Sequence, residues 1–135
     1  STRKESSAAS DVYKRQIDLD YTLTMGKGPN GYADAIPNVP VIEKLKECHE
    51  AGFGVIIHTA RNMRTYAGDV DKIKEHTLPV ILSWLEKHEI PFEEIRVGKP
   101  WCGEDGYYVD DKSIRPREFR ELSHDEIVTL LERDR

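Results

Sequence analysis

From Ile17 onward, short apolar runs alternate with helix-like patterns along the chain. Strand-like runs lie at 17–19, 53–58, 93–97 and 106–110, and helical patterns lie at 40–51, 78–88 and 124–134. Strands that alternate with helices form a parallel sheet covered by helices. The sequence therefore predicts an α/β fold, a three-layer, doubly wound, mostly parallel sheet with four strands.

Length and composition limit the class of protein. A chain of 135 residues can bury one core, and 38% hydrophobic with 33% charged residues is typical of a globular domain. The sequence contains no apolar run of ~20 residues and its start lacks the apolar segment of a secretory signal, which favours a cytoplasmic protein with no membrane partner. Cys48 and Cys102 are far apart in the sequence, which favours reduced structural thiols.

The first sixteen residues differ in character from the rest. Lys14, Arg15 and Gln16 stand where a buried strand is expected to be apolar. The string "DVYKRQ" also resembles the in-frame translation of a transposase adapter used in sequencing libraries. We therefore expect residues 1–16 to be a non-native leader and 17–135 to be a single domain. Without the leader's net charge of +2, the net charge of −5 becomes −7, which argues against a nucleic-acid partner.

Capping residues mark the starts of the predicted helices. Asn38 and Thr77 precede the first two helices, and "SHDE" places Ser123 and Glu126 as a capping box before the last one. Trp84 and His88 share one face of the second helix at helical spacing. We interpret both as packing residues.

Polar side chains follow all four predicted strands. Because parallel strands end at the same edge of a sheet, these side chains are expected to meet in one crevice. They are Asp18 and Asp20, Thr59, Lys99, and Asp110 with Asp111. A second Asp-x-Asp, Asp69-Val70-Asp71, has no strand before it and reads as a loop or a helix start.

Several carboxylates at one point repel each other unless a cation is present. Mg²⁺ prefers such oxygen ligands and keeps room for water and a phosphate. Lys99 and the Thr59 hydroxyl are suited to bind phosphate oxygens. One carboxylate can attack phosphorus, and a second can exchange a proton with the leaving oxygen.

Four strings stand in the order of the motifs of the haloacid dehalogenase superfamily of phosphohydrolases: "DLDYT", "IIHTARN", "VGKP" and "YYVDD". The longer strings "HTARNMRTYAGDV" and "VGKPWCGEDGYYVDDKSIRP" resemble its small capsule-polysaccharide biosynthesis phosphatases. The resemblance extends from Ile17 to the C-terminus. It implies a Rossmann-like core, Mg²⁺ as cofactor and hydrolysis of phosphomonoesters.

The resemblance also implies a role for each matching residue. Asp18 is the expected nucleophile with an oxygen on Mg²⁺, and Asp20 the general acid and base with its backbone carbonyl on the metal. Thr59 and Lys99 are expected to hold the phosphoryl group. Asp110 and Asp111 are expected to complete the metal site directly or through water.

Four further residues are candidates for substrate binding: Thr22, Arg61, Asn62 and Trp101. A polar loop such as that of Arg61 and Asn62 either binds an anionic substrate or is merely solvated. Trp101 either stacks on a sugar or base, or anchors its loop.

The sequence departs from the superfamily in one position and lacks one feature. Tyr21 stands where the superfamily often has Gly, which implies a differently shaped loop beside the site. About 20 residues follow Thr22 before the first helix, and about 40 separate Thr59 from Lys99, too few for an inserted cap domain. A capless member has an open site, which implies either a bulky substrate or a neighbouring subunit of a homo-oligomer as a lid.

Four interpretations of the function are considered, two of them as a phosphatase and two as a different class of protein. A phosphorylated sugar in capsule or surface-polysaccharide biosynthesis is the substrate that the resemblance implies, and a nucleotide or another small phosphomonoester is the alternative. A receiver domain also uses an acid pair, Asp, Thr and Lys, but in a different order along the chain. An inactive binding module on the same fold would not need a residue of the expected type at every catalytic position. In this sequence every such position is filled.

Overall fold

A computed structural model describes residues 14–133, which separate into two compact units, one ending at Trp101 and one beginning at Cys102. The first unit contains β1 (Arg15–Ile17), a 3-10 helix (Tyr32–Asp34), α1 (Val39–Glu50), β2 (Val55–His58), α2 (Val70–His76), α3 (Leu78–Lys87) and β3 (Glu94–Arg96). The second contains α4 (Pro116–Glu121) and α5 (His124–Glu132). No helix among residues 14–133 is long and apolar enough to cross a membrane.

The sheet of the first unit is parallel, in the order β1-β2-β3. Arg15 pairs with Val55 and Ile17 with Ile57, and on the other side of β2 His58 pairs with Arg96. Helices connect successive strands, as parallel pairing requires. The predicted α/β class with a parallel sheet is confirmed. Residues 23–38 and 60–93 contain only the 3-10 helix, α2 and α3, so neither connection carries a cap domain.

The predicted first strand was placed two residues too late. It spans Arg15–Ile17 instead of 17–19, so the expected boundary at Ile17 falls inside β1. Polar residues fit there because Arg15 is only half-buried and its guanidinium lies 3.9 Å from the centre of the Phe53 ring, while Gln16 is exposed. Residues 1–13 of the expected leader lie outside the described residues.

The predicted fourth strand, 106–110, is wrong: this segment has no strand in the structure. Tyr107 and Val109 are 81% and 88% exposed, and Tyr108 between them is 51% exposed. A strand needs at least one face buried and a partner for its backbone groups, and alternate side chains here bury neither face. The apolar run resembles a strand in sequence only.

The core lies between the sheet and the helices of the first unit. Val55, Ile56 and Ile57 of β2 are buried, as expected for a central strand with both faces covered. Trp84 is 1% exposed and its indole N–H donates to the Ala35 carbonyl, which confirms its packing role. His88 packs against Trp84 with 4.6 Å between ring centres.

The helix caps are only partly as predicted. Ser123 and Glu126 form the predicted capping box of α5, and Asp69 caps α2 by accepting from the Lys72 N–H. Asn38 and Thr77 stand at the predicted positions, but neither side chain caps its helix. Both bond to residues near the carboxyl edge of the sheet instead.

Candidate active site

The carboxyl ends of the three strands carry the first three predicted motifs to one edge of the sheet. Asp18 follows β1 directly, Thr59 follows β2 directly, and Lys99 lies three residues beyond β3. The Lys99 N–H donates to the Thr59 carbonyl, and the Lys99 ammonium lies 4.0 Å from Asp18 Oδ1. The structure therefore brings together these residues from three strands.

Asp18 is a carboxylate in a half-buried, mixed environment. Burial raises the pKa of Asp18, and the nearby Asp20 raises it further. The Lys99 charge, a hydrogen bond from the Leu19 N–H and one from the Thr22 hydroxyl act in the opposite direction. The anionic form of Asp18 is thus stabilised only by one nearby ammonium group and two hydrogen-bond donors. A cation bound beside Asp18 would stabilise the anion further.

This pKa shift predicts a pH-dependent effect of Asp18→Asn on stability in metal-free buffer. The folded-state pKa lies above the unfolded value of 3.8, so the charged carboxylate lowers the free energy of unfolding once pH exceeds the folded pKa. Below both pKa values that cost is absent. We expect Asp18→Asn to be more stable than the wild type at about pH 7, with the difference shrinking towards about pH 4. Melting temperatures in EDTA across this range test it; a constant difference, or a more stable wild type at neutral pH, would contradict it.

Asp20 is held by Arg61 through two hydrogen bonds. Arg61 Nε donates to Asp20 Oδ2 at 3.0 Å and Nη2 donates to Oδ1 at 2.8 Å. The Thr24 hydroxyl adds a third bond to Oδ1 at 3.3 Å. The Arg61 side chain is 1% exposed and its guanidinium lies 4.0 Å from the centre of the Tyr32 ring. Such a bidentate pair fixes both the position and the orientation of the Asp20 carboxylate.

Sequence reasoning missed this pair. It placed Arg61 in a polar loop as a candidate for substrate binding, and Thr24 and Tyr32 were not considered. No local signal in the sequence identifies this pair, because the two residues lie 41 positions apart and meet only in the tertiary structure.

The turn after β1 is built on the Leu19 carbonyl, which accepts from the N–H groups of Thr22, Leu23 and Thr24. This turn needs a left-handed backbone at Tyr21, whose φ is 58°. Glycine adopts that conformation freely, whereas a side chain raises its energy. The backbone thus keeps the turn that Gly favours, although Tyr occupies the position.

Tyr21→Gly is therefore expected to raise the free energy of unfolding, by less than about 1 kcal/mol because glycine also gains freedom in the unfolded chain. Tyr21 is 74% exposed, so little packing is lost. Chemical denaturation measures the change. Tyr107→Gly is the matched control, since Tyr107 is 81% exposed and has no positive φ. A loss of stability in Tyr21→Gly comparable with that of the control would contradict the backbone argument.

The loop after β2 is tied down by side chains. The Arg61 N–H donates to Thr59 Oγ1 at 3.1 Å, and Thr59 is 1% exposed. Asn62 has φ 63°, and its amide oxygen accepts from the Thr77 hydroxyl at 2.7 Å while its amide nitrogen donates to Thr65. The predicted substrate-binding role of Asn62 stays a prediction, but its side chain already stabilises this loop.

A cleft of about 230 Å³ opens beside Arg61, and we call it the Tyr32 cleft. Its main lining residues are Tyr32, Arg61, Asn62, His76, Thr77 and Val80. It lies where the 3-10 helix, the loop after β2 and the junction of α2 and α3 come together.

Trp101 ends the first unit and is 45% exposed. The Arg64 guanidinium lies 5.8 Å from the centre of its ring, within the range of a cation–π contact. An exposed ring of this kind suits stacking on a ligand, and that role of Trp101 stays a prediction.

The predicted metal ligands divide between the two units. In the second unit Asp110 accepts from the Lys112 N–H at 2.8 Å, and Asp110 and Asp111 line a shallow cleft with Ser113 and Glu118. Within residues 14–133, no three side chains among His, Cys, Asp and Glu form a group that could hold a metal ion. The four-aspartate magnesium site thus stays a prediction.

Comparisons with known proteins give one strong likeness. No protein-family model matches the sequence, and no curated protein matches it. A Vibrio cholerae protein of known crystal structure is 51% identical, over 90% of this chain and 98% of that one, with a TM-score of 0.87. The structure of the Pnkp1/Rnl/Hen1 complex aligns over 81% of this chain and 34% of the other at 23% identity and a TM-score of 0.47, too weak to carry an argument.

Proposed function

We propose that this protein, which belongs to the same family as the V. cholerae protein, is a magnesium-dependent phosphomonoester hydrolase that forms an aspartyl-phosphate on Asp18. One observation carries the proposal. Asp18 and Lys99 follow the two outer strands of the sheet, on either side of β2, and their charged groups lie 4.0 Å apart, while the Lys99 N–H donates to the carbonyl of Thr59 at the end of β2. A carboxylate, an ammonium group and a hydroxyl at one strand edge suit attack on a bound phosphate.

In the proposed first step, a carboxylate oxygen of Asp18 attacks phosphorus and the bond from phosphorus to the ester oxygen breaks. Asp20 gives its proton to that oxygen, so the leaving group departs as an alcohol. In the second step water attacks phosphorus, Asp20 takes the proton, and inorganic phosphate leaves Asp18. Lys99 and the Thr59 hydroxyl bind the non-bridging oxygens throughout.

Arg61 positions Asp20 for both proton transfers. The two bonds to the carboxylate and the contact with Tyr32 leave the Asp20 side chain little rotational freedom. Because both Asp20 oxygens accept bonds from Arg61, Asp20 must release part of this pairing before it can carry a proton and donate it to the substrate oxygen. Arg61 is thus a positioning residue in this proposal.

Magnesium fits the chemistry of these residues. Asp18 and the backbone carbonyl of Asp20 are oxygen ligands, which Mg²⁺ prefers, and burial disfavours the Asp18 anion unless positive charge is near. When bound, the ion would neutralise charge on the phosphate and on Asp18. Asp110 and Asp111 are proposed as its further ligands.

The proposed natural substrate is a phosphorylated sugar in capsule or surface-polysaccharide biosynthesis. This part of the proposal rests on the resemblance of the longer motif strings to the small capsule-polysaccharide biosynthesis phosphatases. We further propose, from the same resemblance, a homo-oligomer in which a neighbouring subunit covers the open site.

A phosphate-release screen over sugar phosphates, nucleotides and other small phosphomonoesters tests the proposed function. We expect release in Mg²⁺, at least about a 100-fold loss in EDTA, and recovery when Mg²⁺ is restored, because the ion stabilises charge in the transition state. Activity that is equal with and without EDTA, or absent for every phosphomonoester, would contradict the proposal.

A further inference from the structure

Arg61 has one nitrogen that its pairing with Asp20 leaves unused. Nε and Nη2 donate to the Asp20 carboxylate, whereas Nη1 is buried and has no hydrogen-bond acceptor among residues 14–133. The whole Arg61 side chain is only 1% exposed. A buried donor without an acceptor has lost its hydration without compensation, and the loss is larger for a charged group. An acceptor supplied by a ligand would remove this cost.

The unused nitrogen lies on the side of Arg61 that faces the Tyr32 cleft. Arg61 lines the cleft, whereas Asp20 does not. In a planar guanidinium whose Nε and Nη2 bind one carboxylate, Nη1 lies on the side away from that carboxylate. The Tyr32 ring centre is 4.0 Å from the guanidinium, but a ring face is a weak acceptor compared with an anionic oxygen.

A second cation adjoins the same ring. The Lys27 ammonium lies 4.8 Å from the Tyr32 ring centre, and Lys27 forms no salt bridge with any residue that the structure describes. None of the described residues that line the cleft is acidic, and His76, its other basic residue, lies 3.7 Å from Glu75. Two cations at one ring, with only the Asp20 carboxylate paired to one of them, attract an anion.

The cleft also offers neutral donors. Asn62 Nδ2 donates to Thr65 and Asn30 Nδ2 donates to Asp34, and both asparagines line the cleft. An amide nitrogen carries two hydrogens, so each asparagine retains one for a ligand oxygen. At about 230 Å³ the cleft is smaller than the roughly 300–1,000 Å³ of sites for drug-sized ligands, which limits the ligand group to a small one.

We infer that the Tyr32 cleft binds a small oxyanion, a phosphate or carboxylate group, through Arg61 Nη1 and Lys27. The site is separate from the proposed phosphoryl position, because neither Asp18 nor Lys99 lines the cleft. It therefore does not depend on the proposed function. Since Nη1 is buried, the bond needs a small shift of the side chains around it. Tyr32 can supply that shift, because it belongs to a 3-10 helix that contains no buried residue.

The experiment titrates inorganic phosphate into ¹⁵N-labelled protein in EDTA at constant ionic strength. Nuclear magnetic resonance follows the backbone amides of Asn62 and Thr77 and the Arg61 Nε–H. These signals are expected to shift saturably, with a dissociation constant of about 1–10 mM for a site with two charged contacts. Sodium chloride at the same ionic strength should not shift them. Lys99→Met, which removes a cation from the proposed phosphoryl position, should leave the titration unchanged.

Two variants test the proposed contacts. Lys27→Met should weaken phosphate binding about fivefold, as expected for one exposed charge pair, and Lys87→Met is the matched control because Lys87 is exposed at the far end of α3 from the cleft. Arg61→Lys should weaken binding by at least about tenfold, since its single ammonium group is engaged by Asp20 and leaves no donor for the cleft.

Fructose 1,6-bisphosphate separates two sources of the anion. If one molecule supplies the groups at both positions, the amides of Lys99 and Thr77 should titrate together, with a dissociation constant at least about tenfold below that of phosphate. If the cleft takes a separate anion, the two amides should titrate with different constants. Saturable shifts at Thr77 in either case support the site.

Three results would overturn the inference. The first is an equal response of Asn62 and Thr77 to chloride and phosphate, or a response to phosphate that does not saturate. The second is the same dissociation constant in Lys27→Met and Lys87→Met protein. The third is loss of the shifts in Lys99→Met protein, which would show that phosphate acts from the other position.

Discussion

Replacing Asp18 with asparagine is expected to lower phosphate release by at least about 10⁴-fold, because removing a covalent nucleophile removes the reaction path itself. Asparagine has nearly the same shape, so Lys99, Thr22 and the Leu19 N–H keep a neighbour of equal size. The amide oxygen is a poor nucleophile and forms no stable phosphoryl ester. The loss should appear in kcat, measured as the initial rate of phosphate release at saturating substrate and Mg²⁺.

Asp71→Asn is the matched control for this substitution. Asp71 is an exposed carboxylate in the first turn of α2, and its replacement should leave kcat within about twofold, since exposed sites away from the chemistry change little. Circular dichroism and melting temperature check that both variants are folded. Asp18→Asn protein that keeps a tenth of the wild-type rate would remove Asp18 from the nucleophile role.

The second large effect is expected at Arg61. Arg61→Met leaves Asp20 without its partner and Tyr32 without its cation, and it should lower the free energy of unfolding by about 3 kcal/mol. Breaking a buried pair by removing one partner costs roughly 3–5 kcal/mol, and we expect the lower end because the Asp20 side chain is 23% exposed. Chemical denaturation at neutral pH measures it.

Two further variants separate charge from geometry at this pair. Arg61→Lys keeps the positive charge but cannot bind both carboxylate oxygens in the same way. Its kcat should therefore lie below that of the wild type, because Asp20 is no longer held in one orientation. Removing both partners, in Asp20→Asn with Arg61→Met, should cost less than the sum of the single changes because the two side chains are coupled. An Arg61→Met cost below about 0.5 kcal/mol, typical of a surface ion pair, would contradict the buried clamp.

Local patterns predicted most of the first unit. The apolar run before Thr59 is continuous because a central parallel strand is covered on both faces, and Trp84 falls on the buried face of its helix at helical spacing. The convergence of Asp18, Thr59 and Lys99 followed from one rule, that parallel strands end at the same edge. These features depend on short-range sequence periodicity and chain direction.

The features that sequence missed depend on contacts between distant residues. Arg61 reaches Asp20 across 41 positions, and nothing in its own loop distinguishes it from a solvated arginine. Asn38 and Thr77 were correctly placed at helix starts, yet their side chains bond to the Thr22 carbonyl and to Asn62 instead of capping. When a side chain can bond either to the start of its own helix or to a distant residue, only the tertiary structure decides which bond forms.

The predicted strand at 106–110 is wrong for a different reason. An apolar run such as "GYYV" reads as a strand in isolation, but strand formation needs a neighbour with free backbone groups and a face to bury. In the second unit these side chains are exposed. Local β-propensity therefore did not decide the structure here.

The most direct measurement is capture of the phosphorylated protein. Enzyme mixed with a hydrolysed substrate and Mg²⁺ is quenched in acid within one turnover, reduced with borohydride, digested and sequenced by mass spectrometry. The proposed mechanism predicts conversion of Asp18 alone to homoserine, with none in Asp18→Asn protein, because borohydride reduces an aspartyl-phosphate but not a free carboxylate. Reduction at another residue, or release of phosphate in a full burst with no modified residue, would contradict it.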